Sequence, residues 1–150
     1  MPTIFQKTEF DAAPVPTPNR IRWTRQQCEA IREAGILTER YELIDGEIIS
    51  KIGQKPPHSC VTRALLTWLT GLFGAETVLI QSTMRITYSD GNYNEPEPDV
   101  AVTTQPYTAY REEHPGPEDL LLLVEVSDTT LHFDLSAKAG LYARAGVAEY

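Results

Sequence analysis

The sequence predicts a layered α/β or α+β sandwich around a mixed sheet. Three observations carry this. An Asp45-Gly46 pair separates two short apolar runs, Tyr41–Ile44 and Glu47–Ser50. A near-continuous apolar run, Leu120 to Val126, has the character of a strand buried on both faces. Between and beyond these lie segments whose apolar residues recur at helical spacing.

Taken in order, residues 1–20 contain Pro2, Pro14, Pro16 and Pro18 with no apolar period, and read as a flexible Pro-rich arm. Thr24 with Gln27 three residues later forms a capping box, which predicts a helix to Ala34 that stops at Gly35. Asp-Gly tolerates positive φ, so 41–50 is expected to be a β-hairpin. Pro56-Pro57 is expected to break the chain before a second helix, Ser59 to Phe73. That helix carries Val61, Leu65, Trp68, Leu69 and Leu72 on one face and ends at Gly74. Strands are expected at Thr77–Gln81 and Met84–Tyr88. A polar loop, Ser89 to Glu97, follows, and Pro96 and Pro98 hold its end extended. Asp99–Val102 is the next strand, 104–119 a Pro-rich loop, and Leu120–Val126 the buried strand. A last helix is expected from Leu135 to Ala145, with Gly146 as its stop. Ala148–Tyr150 reads as the start of a further strand. With no cap or polar tail after it, the 21–150 domain is expected to be cut short at its C-terminal end.

One domain fits the 150 residues, of which 41% are hydrophobic and 23% charged. No apolar run approaches the roughly 20 residues needed to span a bilayer, so no membrane partner is expected. Cys28 and Cys60 match no zinc spacing and read as reduced thiols of a cytoplasmic protein. The net charge of −8 opposes tight binding to a phosphate backbone. A metal ion held by carboxylates would reverse that sign locally.

Two acidic residues fall at strand ends. Asp99 follows Pro98, and Glu125 follows Leu121, Leu122, Leu123 and Val124. A carboxylate in so apolar a run is costly unless paired or ligated. Mg²⁺ takes one or two carboxylates plus waters and substrate phosphate, so Asp99 and Glu125 on adjacent strands suit it, with Mn²⁺ as an alternative. A nearby lysine would orient water and offset phosphate charge. Each residue also has a plain structural reading. Asp99 could be a strand-entry residue, Glu125 a partner of Arg63 or Arg144, and Asp134 an N-cap or helix ion-pair partner. There is no Gly-rich phosphate loop and no nucleophile elbow at Ser127.

Several motifs occur in order: Tyr41-Glu42-Leu43-Ile44-Asp45-Gly46-Glu47, His58 at a helix start, Glu97-Pro98-Asp99-Val100, Val124-Glu125-Val126-Ser127, Lys138, Tyr142-Ala143, and Gly146-Val147-Ala148-Glu149-Tyr150. From about residue 24 onward this resembles the Uma-two family of bacterial restriction endonucleases, in the PD-(D/E)xK superfamily. The resemblance implies a restriction-endonuclease-like αβββαβ core, here with an extra N-terminal helix and hairpin. It implies metal ligation by Asp99 and Glu125. Ser127 stands where the superfamily motif has lysine, and the resemblance moves that role to Lys138 on the following helix. Leu135, Ala139 and Tyr142 are expected to face the core, with Lys138 at the edge of that face. His58 is a secondary candidate for placing water or phosphate, against a plain reading as a loop histidine before a Ser59 N-cap. Glu42 is a further candidate metal ligand. Glu47 competes with it, and pattern alone leaves that choice open.

The resulting expectation is Mg²⁺-dependent hydrolysis of DNA phosphodiester bonds, with Asp99, Glu125, Lys138 and His58 catalytic and Asp99, Glu125 and Glu42 at the metal. The alternatives are a nuclease-derived module that no longer cuts and serves protein–protein contacts, or a purely structural fragment. DNA is the expected substrate, and a homodimer through the arm or hairpin the expected assembly.

Overall fold

In the computed structural model, the structure describes residues 19–51, 53, 55–87 and 89–150. Most of the expected arm, and Tyr88 of the expected fourth strand, lie outside them.

Thr24 is extended and caps α1, Arg25–Glu33, through the capping box with Gln27. The hairpin follows, with β1 (Tyr41–Ile44) paired antiparallel to β2 (Glu47–Ser50). Its turn places Asp45 at φ 49° and Gly46 at φ 83°, as a two-residue hairpin turn of this hand requires. Gly46 is also packed so tightly that a Cβ there would stand 2.6 Å from that of Arg22.

The second helix, α2, runs Pro56–Phe73 and so starts three residues before the expected Ser59. Pro56 and Pro57 open the helix instead of breaking the chain, because the first-turn N–H groups have no intrahelical acceptor and proline's φ is already helical. His58 therefore sits on the first helical turn and Ser59 inside the helix. Of the expected apolar face only Leu69 is fully buried. Val61, Trp68 and Leu72 point outward, Trp68 with 61% of its surface exposed.

Strands β3 (Val78–Ile80), β4 (Val100–Thr103) and β5 (Leu120–Val124) form a sheet in that order. The α+β class holds. Every ladder among the described residues is antiparallel, whereas a mixed sheet was expected. Leu123 N–H donates to Glu149 O at 3.0 Å, which brings the last residues alongside β5. β4 is the strand buried along its whole length; β5 leaves Leu121 46% exposed beside a bulge opposite Val102/Thr103. No strand forms at 84–87, although Met84 and Ile86 alternate into the core. Met84 and Arg85 donate to Pro96 O and Pro115 O, and prolines carry no N–H with which to complete a ladder.

Two apolar clusters sit on opposite faces of the sheet. Leu69 of α2 packs on Val78, Val100 and Val102. Ile44, Met84, Ile86, Ala101 and Leu123 pack under Leu141 and Tyr142 of the last helix. That helix begins as α3, Leu131–Phe133, passes through a π-helical turn, Asp134–Lys138, and continues as α4, Ala139–Ala145. The π turn inserts an extra residue per turn and rotates the helix face. Leu135, expected in the core, is consequently 67% exposed, while Asp134 and Lys138 turn inward. Lys138, expected at the edge of the face, is 2% exposed. Among the described residues no helix is long and apolar enough to cross a membrane.

Candidate active site

A cavity of about 590 Å³ opens where the hairpin, the N-terminal end of α2, the ends of β4 and β5, and the π turn meet. Glu42, His58, Asp99, Glu125 and Lys138 all line it. Each arrives for a local reason. Strand alternation puts Glu42 on the same face of β1 as the core residue Ile44. Asp99 immediately precedes β4 and Glu125 immediately follows β5, and Val100 pairs with Val124 in the ladder, so the two acids leave the sheet side by side. The π turn brings in Lys138.

Lys138 Nζ lies 2.7 Å from Glu125 Oε1 and 2.9 Å from Glu42 Oε2. Tyr142 O–H donates to the same Glu125 Oε1 at 2.8 Å. Glu42 Oε2 also accepts from the Glu97 N–H at 3.2 Å, and Lys51 Nζ stands 4.0 Å away. Asp99 Oδ2 accepts from Val126 N–H at 2.8 Å, with His58 Nε2 at 3.1 Å, and Thr62 Oγ1 is 3.4 Å from His58 Nδ1. Both carboxylates at the sheet ends are thus held by one oxygen. Asp99 Oδ1 and Glu125 Oε2 have no hydrogen bond among the described residues. A fourth buried acid, Asp134, accepts from Ser127 Oγ at 2.6 Å and Thr130 Oγ1 at 2.7 Å, which ties the loop after Glu125 to the π turn.

The electrostatics follow from two buried carboxylates sharing one ammonium. Burial pushes Glu125 up to about 7, against the pull of Lys138 and with a further push from Glu42. Burial alone would lower Lys138, but its contacts with Glu125 and Glu42 outweigh that and hold it charged above the ordinary lysine range. The cluster carries surplus negative charge, so a proton it takes up goes to a carboxylate and the ammonium keeps its own. Tyr142 is raised well above an ordinary phenol by burial and by Glu125, and stays a donor.

Residues 36–150, well over half of the chain, match the Uma2 family, described as a putative restriction endonuclease. The chain belongs to that family. No curated protein matches it. Glu42, His58, Asp99, Glu125 and Lys138 all fall within the Uma2 span.

The structure settles the orientation that pattern left open. Glu42 is buried and faces the cleft, whereas the Glu47 side chain is 51% exposed and pairs with Arg20. Glu125 pairs with Lys138, not with Arg63 or Arg144. Asp134 bonds to hydroxyls, not to Lys138. Sequence reasoning placed Tyr142 only in the core and missed its hydroxyl on Glu125. The available signal was its spacing of four from Lys138, which puts both on one helix face. Among the described residues, no group of three or more His, Cys, Asp and Glu side chains is gathered as a ready metal cage. A Mg²⁺ site of one or two carboxylates completed by water and phosphate does not require one. Asp99 and Glu125, each with an oxygen to spare, fit that donor set.

Proposed function

We propose that this Uma2 chain is a metal-dependent endonuclease acting on DNA phosphodiester bonds. The observation that supports it best is the pair of carboxylates at adjacent strand ends, each secured through one oxygen, beside a buried and charged lysine. Asp99 Oδ1 and Glu125 Oε2 would hold Mg²⁺ or Mn²⁺. When bound, such an ion polarises the phosphate and activates water. Glu42 and Glu125 keep Lys138 protonated, so Lys138 does not act as a base. Two of its three N–H groups point at these acids, which leaves the third to orient the attacking water or a phosphate oxygen. His58 holds Asp99 in place and borders the cleft. Water attacks phosphorus and gives up a proton, the P–O bond to the sugar oxygen of the leaving strand breaks, and that oxygen takes up a proton, so none is gained or lost overall.

The overall charge of −8 is less of an obstacle than it looks from composition. Five carboxylates and the cations Arg40, Lys51, Lys55 and Lys138 line the cleft, which is close to neutral, and one divalent ion would make it positive. The test is cleavage of supercoiled plasmid and of single- and double-stranded oligonucleotides with Mg²⁺ or Mn²⁺, by wild type, Asp99→Ala and Glu125→Ala. Cutting by wild type alone supports the reading; no cutting of any form by folded wild type counts against it. The second reading, a nuclease-fold module that does not cut, draws on the Glu42–Lys138–Glu125 cluster, which is charge-compensated enough to stand as a structural network. Intact fold with no metal affinity would favour it.

A further inference from the structure

We infer that Tyr142 is a positioning residue for the metal site: with Lys138 it pins Glu125 by Oε1 and so dedicates Oε2 to the cation. This rests on the metal-site reading above.

Tyr142 is buried and does not line the cleft, so it touches neither substrate nor ion and can act only through Glu125. Its hydroxyl lies 2.8 Å from Glu125 Oε1, the oxygen that also takes Lys138 Nζ at 2.7 Å. The terminal torsion of a glutamate is broad and close to two-fold, so a carboxylate held by a single donor exchanges its oxygens readily. Two donors, both from the last helix, converge on one oxygen and oppose that exchange. Asp99 has the same construction from other elements, with Val126 N–H and His58 both on Oδ2. Each carboxylate therefore presents one defined oxygen. The Tyr142 ring is itself braced by Tyr150, with centroids 5.0 Å apart.

Groups that orient a ligand without touching the metal typically contribute 10- to 100-fold to affinity. The experiment is a calorimetric Mn²⁺ titration of the full chain as wild type, Tyr142→Phe and Tyr150→Phe. Tyr142→Phe should bind about tenfold or more weakly at unchanged stoichiometry. Tyr150→Phe should match wild type, because that hydroxyl bonds to Asp134 O and not to Glu125. A purely structural role for Tyr142 would lower its melting temperature without separating the affinities of the two variants. Wild-type affinity in folded Tyr142→Phe overturns the inference while leaving the metal site standing. Absence of binding by wild type removes both. If circular dichroism shows Tyr142→Phe unfolded, wild type labelled with 3-fluorotyrosine replaces it. A ¹⁹F line from a buried tyrosine that moves with Mg²⁺ saturation supports the inference, and seven unmoved lines overturn it.

Discussion

Replacing Lys138 with methionine should destabilise the protein by an amount that depends on pH. The methionine fills similar volume but removes the ammonium that lies 2.7 Å and 2.9 Å from two buried carboxylates. Stranding the partner of a buried ion pair costs about 3–5 kcal/mol. That cost applies in full only while the acids are charged. At pH 5.5 wild-type Glu125, with its pKa at about 7, already carries its proton, so the lost ammonium leaves no charge on Glu125 stranded. At pH 8 wild-type Glu125 has given up its proton beside the charged Lys138, and the variant must either bury that carboxylate uncompensated or keep it protonated. Each pH unit over which the variant retains a proton that wild type and the unfolded chain have lost adds about 1.4 kcal/mol. The gap between wild type and Lys138→Met should therefore widen by about 1.4 kcal/mol from pH 5.5 to 8, nearly all of it above pH 7 where wild-type Glu125 loses its proton. Urea unfolding at both pH values measures it. An equal gap at both would mean that Lys138 does not compensate buried charge, and the reasoning would fail.

Wild type itself should lose stability as pH rises. The folded state holds the Glu125 proton more tightly than the unfolded chain, so the favourable contribution is complete below 4.5 and gone above about 7, amounting to roughly 3 kcal/mol. Denaturant midpoints across that window test this; Lys138 stays charged throughout and does not contribute to the slope. Glu42→Gln should move the Glu125 midpoint down towards the ordinary carboxyl range, since Glu42 pushes it up. Glu47→Gln, at an exposed ion pair, should leave that midpoint alone and change stability by less than about 0.5 kcal/mol. Carboxyl ¹³C shifts followed through a pH titration distinguish the two variants.

The parts legible in the sequence were those with strong local chemistry. Asp45-Gly46 dictated a positive-φ turn, Thr24 and Gln27 a capped helix, and Pro98-Asp99 and Val124-Glu125 the acids at the strand ends. Glu42 against Glu47 was not legible. Glu42, Leu43 and Ile44 are all buried, so β1 has no exposed face whose polar residues would mark from sequence which side meets the cleft. The π turn was invisible for a different reason. A helix period read from sequence assumes constant phase, and the inserted residue at 134–138 breaks it, which sends Leu135 out and Lys138 in. Met84–Ile86 had strand alternation, but its hydrogen-bond partners are set by distant prolines. Tyr142 showed its apolar ring and concealed its hydroxyl, whose partner is 17 residues away in sequence.

The measurement that bears most directly on the central claim is calorimetric titration of Mn²⁺ into wild type, Asp99→Ala and Glu125→Ala at pH 8, above the Glu125 midpoint. The site described here predicts binding by wild type, loss of it in both variants, and a fall in wild-type affinity as pH drops below about 7, where the proton competes for Glu125. Folded wild type that takes up no metal, or variants that bind as wild type does, would contradict it.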